Sequence, residues 1–122
     1  MVIAGSGLLL LGCQPEPGKG GILSVNKMKV VMWDMMRVDE FAASYLAKDS
    51  AINVKKEKEL LYQKVYKTHQ IDSATFFTSF DYFAKHPNDY RVLLDSIANF
   101  GNREREAVYR KSSILPASKN PK

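Results

Sequence analysis

An all-α domain of about four helices is what this sequence predicts, and three observations predict it. Apolar residues recur every three or four positions through four successive segments, the spacing of one helical face. No segment alternates apolar and polar residues with period two, as a half-buried strand would. The connections between the periodic segments are short, so the helices pack as neighbours in a small antiparallel bundle or orthogonal array.

The chain begins with an apolar leader, residues 1–12, that closes on Leu10, Leu11, Gly12 and Cys13. Cys13 is the only cysteine, and these four residues look like a bacterial lipobox. The apolar run partitions into the bilayer, while small Gly12 leaves the backbone open beside the thiol that becomes lipidated. Leu11 is bulkier than that position usually holds. No Lys or Arg lies in residues 1–12, and Met1–Gly7 reads as though the true start lies upstream. Met1 to Gly12 is too short for a transmembrane helix, which needs about 18 apolar residues or more. The other reading is an ordinary apolar segment with an idle thiol. Residues 13–21 follow as the lipidated cysteine and a Pro- and Gly-rich linker, whose eight residues Gln14–Gly21 make a tether of at most ~25 Å at about 3.1 Å per residue.

A single helical domain is expected over residues 22–111. In helix one, Ser24 is placed to cap a helix whose apolar face is Met28, Val31, Met32, Met35, Val38, Ala42, Tyr45 and Leu46. Leu23 and Met28 have the spacing of a hydrophobic staple. Asp49–Asn53 reads as a connection. Helix two, Lys55 to about Thr68, is charged, with Leu61 and Val65 on one side and Tyr62 and Tyr66 widening that face. Asp72 is a good N-cap for helix three, Ser73 to Lys85, and Ile71 with Phe76 repeats the staple spacing.

Pro87 disfavours helical geometry at His86 and suits the first turn of helix four, with Asp89 near the positive end of the dipole. Its face is Tyr90, Leu93, Leu94, Ile97 and Phe100. Gly101 either ends the helix or costs about 1 kcal/mol inside a longer one, and the return of Ala107, Val108 and Tyr109 favours continuation to Arg110. Residues 112–122 lack periodicity and are expected to be a disordered tail.

Composition narrows the function. The net charge is +5, and residues 101–122 hold six basic groups against Glu104 and Glu106. That basic end suits anionic lipid or an acidic partner, or is a solvated helix end. Export and the lack of a basic Gly-rich loop, zinc-finger spacing or aromatic-bearing strand argue against nucleic acid. One cysteine allows no disulfide framework. His69 and His86 lack a metal-ligand spacing and are expected to end helices, where imidazolium favours the negative C-terminus. No nucleophile elbow, Walker loop or dinucleotide fingerprint occurs, and no cofactor is expected.

Two constellations remain. In helix three, Phe76, Phe80 and Phe83 share a face while Phe77 and Tyr82 point elsewhere, and one stripe cannot bury them all. Either this helix is central and covered on several sides, or part of its aromatic surface is a groove for a partner. Trp33, Phe77, Tyr82 and Tyr90 are the side chains that would then meet that partner. In helix one, Asp34, Arg37, Asp39 and Glu40 form an intrahelical ion-pair cluster. A hydrolase reading of the carboxylates would need them paired in a cleft with one raised pKa.

From residue 13 to about residue 100, several blocks follow the leader and linker: Met28-x-x-Val31-x-Trp33-Asp34-Met35, then Leu61-Tyr62-x-x-Val65-Tyr66-x-x-His69-x-Ile71, then Phe76-x-x-Ser79-Phe80-x-Tyr82-Phe83-x-Lys85-His86-Pro87, then Leu94-Asp95-x-Ile97. In this order they resemble the DUF4296 lipoproteins of Bacteroidetes bacteria. The resemblance implies a small helical lipoprotein of the cell envelope, lipid-anchored through Cys13 to the outer or inner membrane, and it carries over no catalytic residue. The expected role is a non-enzymatic one, binding another envelope protein. The helix order is also faintly similar to the peptide-binding part of periplasmic SurA-like chaperones, which implies a binder of unfolded outer-membrane polypeptides as the alternative.

Overall fold

The computed structural model describes residues 21–114, so Leu10, Leu11, Gly12, Cys13 and the linker up to residue 20 lie outside the described residues. Four α-helices carry the fold: α1 (Val25–Ser44), α2 (Val54–Thr68), α3 (Ser73–Lys85) and α4 (Pro87–Ile114), with a 3₁₀ turn at Leu46–Lys48 between α1 and α2. The protein is all-α, as the periodicity requires.

The starts of α1, α2 and α3 are each fixed by a local hydrogen bond. Ser24 accepts from the Lys27 amide at 3.2 Å, Asn53 from Lys56 at 3.1 Å and Asp72 from Thr75 at 2.7 Å, and each occupies one of the amides that a helix leaves unpaired. Leu23 and Met28 meet in one apolar cluster, as the staple spacing predicts. α1 stops at Ser44, short of the expected Leu46. Asp49 folds the chain by accepting from the Ala51 amide at 2.9 Å, so Leu46 belongs to the 3₁₀ turn. α2 ends in a Schellman turn: Gln70 adopts a left-handed φ of 55° and the Ile71 amide returns to the Tyr66 carbonyl at 3.0 Å. Glycine is the usual residue there. The turn aims Ile71 at the apolar cluster around Val65 and Tyr66.

At the α3–α4 corner, His86 precedes Pro87 and stacks on Tyr82 with ring centroids 4.0 Å apart. The Tyr82 hydroxyl donates to Asp89 at 2.8 Å. α4 extends three residues past the expected boundary at 111. The hydroxyls of Ser112 and Ser113 donate back to the Tyr109 carbonyl at 2.8 and 2.9 Å, a helical habit of serine. The rest of the expected tail, 115–122, lies outside the described residues.

The central element is α1, not α3. It packs on α2 and on α4, while α3 packs on α4. α1 and α2 run antiparallel, since Asp34 meets His69 and Asp39 meets Tyr62. α1 and α4 run parallel, since Met28 shares a cluster with Leu93 and Ile97 while Trp33, one turn on, lies against Gly101. The core has two lobes, one of Met28, Phe83, Leu93 and Ile97, the other of Val31, Met35, Val65 and Tyr66, and Phe76 packs against both.

Two details explain residues that periodicity alone leaves puzzling. Gly101 is buried inside α4 because a Cβ there would sit 2.7 Å from Trp33 Cη2 and still closer to Cζ3. The Trp33 ring meets Phe100 edge-on at 6.1 Å. Ser79, fully buried, accepts from the Leu23 amide at 2.8 Å and donates to the Thr75 carbonyl at 2.7 Å. It thereby joins the entry to α1 with the middle of α3.

Beyond Gly101 the packing ceases. Every residue from Asn102 to Ser113 is exposed, so the last three turns of α4 form an arm of about 18 Å at 1.5 Å per residue.

Candidate partner-binding surface

A groove of about 360 Å³ lies where α1, α2 and α3 meet. Its floor comes from the core: Met35 of α1 and Tyr66 of α2 are buried, and Phe76 of α3 is half-buried. Its walls are Tyr62 on one side and Phe77 on the other, the latter 61 % exposed. Phe77 stands edge-on to Phe76 with centroids 5.4 Å apart, and Phe80 stacks on Phe76 at 6.3 Å. One helix turn therefore anchors an aromatic cluster with Phe76 while presenting Phe77 and Phe80 to solvent.

Carboxylates edge this aromatic surface. Asp39 accepts from the Tyr62 hydroxyl and lies 2.8 Å from Lys58 Nζ. Glu59 accepts from the Gln63 side-chain amide at 3.0 Å. Partial burial works to raise the Asp39 pKa, but hydrogen bonds from Lys58 and Tyr62 and the Lys58 charge outweigh it and hold the carboxyl below its ordinary 3.8. Burial first, and then the bond to Asp39, push the Tyr62 phenol up. Burial and the Glu59 charge do the same to Tyr66. Each of the other surface grooves described is lined by at least one Lys or Arg. This one is lined by none, on a chain whose net charge is +5.

The lowered Asp39 pKa has a stability consequence of definite sign. The native state binds this proton less readily than the unfolded chain, so the contribution is present above pH 3.8 and is lost as pH falls below it. Asp72, lowered by its bonds to Thr75, acts in the same direction. Asp39→Asn should cost less than about 1 kcal/mol at neutral pH, as exposed pairs do. Urea unfolding at neutral pH and at about pH 3 should show the variant losing less stability on acidification than the parent.

The four aromatic side chains singled out from sequence do not share one surface. Phe77 alone belongs to this groove. Trp33 lines a second one, about 340 Å³, together with Arg37, Glu104, Arg105, Val108 and Tyr109. Tyr82 and Tyr90 are half-buried against the Met28–Leu93 lobe. Tyr62, Tyr66, Asp39 and Glu59 complete the groove. Their union is tertiary, because α1 and α2 must pair before these side chains approach.

The helix-one charges separate in the same way. Asp34 lies 2.7 Å from His69 Nε2 and 3.6 Å from Arg37, whereas Asp39 turns to α2. No ion pair joins Arg37 to Glu40 among the described residues. Asp34 and Asp39 therefore go to different partners, and Asp39 is lowered where a general acid must be raised. His69 caps α2 and His86 caps α3. Among the described residues no group of three His, Cys, Asp or Glu is placed to hold a metal ion. None of these helices is long and apolar enough to cross a membrane.

The model of one protein family, described as "Domain of unknown function (DUF4296)", matches residues 20–112. No curated protein and no solved structure matches the chain.

Proposed function

Since the chain belongs to the DUF4296 family, we propose that it is a lipid-anchored protein of the cell envelope whose helical domain is a non-enzymatic docking module for another polypeptide. The observation that carries the docking role is Phe77, a large apolar side chain 61 % exposed at the wall of an aromatic groove. Full burial of such a ring is worth roughly 1.5–3 kcal/mol, and a partner covering the groove would recover the share still open to water. Exposed apolar surface rimmed by polar groups is what interaction sites present. That Asp34 and Asp39 turn to different partners supports a non-enzymatic reading.

The anchor rests on Leu10, Leu11, Gly12 and Cys13. Cys13→Ser in the full-length gene should abolish lipidation and release the protein from the membrane fraction, read by fractionation and intact mass. A variant processed and membrane-bound as before would overturn the anchor. For the docking role, a photo-crosslinking residue at Phe77 should give a discrete adduct in intact cells that the same residue at exposed Val92 does not. Equal labelling at both positions would overturn it. A ladder of many adducts at Phe77 would instead favour the chaperone-like binder of unfolded outer-membrane polypeptides.

A further inference from the structure

One chain carries two uncovered surfaces of opposite character, and the pair points to what covers each of them. The first is the groove walled by Tyr62 and Phe77 and edged by Glu59 and by Asp39, which Lys58 already pairs at 2.8 Å from outside the lining. The second is the α4 arm, exposed throughout from Asn102 to Ser113, where Arg103, Arg105, Arg110 and Lys111 outnumber Glu104 and Glu106. Val108 and Tyr109 sit among these charges, 65 % and 70 % exposed.

The arm continues a packed helix and so needs no nucleus of its own, but each of its residues from Asn102 to Ser113 is exposed, including Val108 and Tyr109, which line an open groove with Trp33 and Arg37. The arm's internal supports are exposed ones, the 3.6 Å Arg110–Glu106 pair, the bond Arg105 donates to Asn102 Oδ1 and the two serine hydroxyls on the Tyr109 carbonyl. Apolar side chains flanked by cations match an aromatic groove edged by carboxylates, through burial, through ion pairing and through cations on aromatic faces. The domain already makes a small version of this contact: Lys58 Nζ pairs with Asp39 and lies 5.5 Å from the centre of the Tyr62 ring.

We propose that the occupant of the groove is the α4 arm of a second copy of this chain, in a two-fold dimer where each copy lays its arm into the other's groove. The exchange is reciprocal because each chain brings one groove and one arm, the condition for a closed two-fold interface. It rests on reading the groove as a polypeptide-docking surface and adds the identity of the polypeptide.

Sedimentation velocity on the full chain in non-ionic detergent tests this, with circular dichroism to confirm that each variant is folded. The parent should pass from monomer to dimer as its concentration rises. Phe77→Ala, Glu59→Lys and Arg110→Glu change exposed side chains, and each should weaken the dimer by about tenfold or more, the loss of roughly 1.4 kcal/mol or more at a contact. Glu59→Lys and Arg110→Glu combined in one chain should recover most of the parent's affinity, because each swapped groove then meets a swapped arm. A parent that stays monomeric, a dimer that none of the three changes weakens, or a double variant as weak as its components would each overturn the proposal. A monomeric parent that still gives a discrete heterologous adduct at Phe77 in cells would overturn the dimer alone and leave the docking role standing. Retention of the parent by anionic vesicles, lost with Arg110→Glu and indifferent to Phe77→Ala, would assign the arm to lipid and also overturn the dimer.

Discussion

Gly101→Ala should destabilise the protein by about 1–2 kcal/mol, against the direction of helix propensity. Alanine inside a helix is favoured over glycine by about 1 kcal/mol, so an uncrowded site would gain stability. Here the new methyl would lie 2.7 Å from Trp33 Cη2. Overpacking of this kind costs about 1–3 kcal/mol, because the indole, set edge-on to Phe100, must leave its place. The same change made together with Trp33→Ala should reverse sign and stabilise by up to about 1 kcal/mol, since the obstruction is gone and propensity remains. Urea denaturation of the four proteins in this cycle measures the coupling. A loss from Gly101→Ala that persists without the indole would mean that the glycine serves the α4 backbone, not the Trp33 contact.

Ser79→Ala should cost about 2 kcal/mol. The hydroxyl is fully buried and is the acceptor for the Leu23 amide. Removing it leaves a donor without a partner in a site closed to water, a penalty of about 1–3 kcal/mol. Its bond to the Thr75 carbonyl contributes less, because that carbonyl keeps its place in the α3 ladder. The specific readout is amide hydrogen exchange: Leu23 should lose protection while the amides in the middle of α2 keep theirs at matched stability. Unchanged protection at Leu23 would show that another group fixes the α1 entry.

The pattern of these two sites shows what was legible in the sequence. The bounds of α3 were legible to the residue, because Asp72 and His86–Pro87 are strong local signals on either side of an aromatic run. α1 ended earlier than its periodicity suggested, since the Asp49 turn outcompetes one more turn of weakly apolar helix. The continuation of α4 through Gly101 was readable from Ala107–Tyr109, but its reason, the Trp33 ring, was not. That reason belongs to the parallel packing of α1 on α4, which no local signal encodes. Ser79 stood in plain view as a small polar residue on an apolar stripe, three residues after Phe76 and four before Phe83. Only the fold shows that the Leu23 amide needs it. For the groove, Phe77 was legible as the phenylalanine pointing away from the stripe. Sequence spacing places Asp39 with the charges on its own helix, because it reports intrahelical neighbours and is silent about Tyr62 and Lys58 on the next helix.

The Leu23–Ser79 bond spans 56 residues of chain, and the pairing of Met28 with Leu93 and Ile97 spans more. The ends of the domain are therefore stitched to each other, and folding speed follows from that. Contacts between distant residues come late, after the loop entropy between them has been spent. The α1–α2 pair, joined by a short connection, forms a local hairpin with only the Val31–Val65 lobe available to it. The other lobe has only the α3 side chains around Phe83 to set against Met28 until α4 arrives. A nascent chain stopped before Leu93 leaves Trp33 and part of Met28 in water, and completion waits for the last helix to close the circuit.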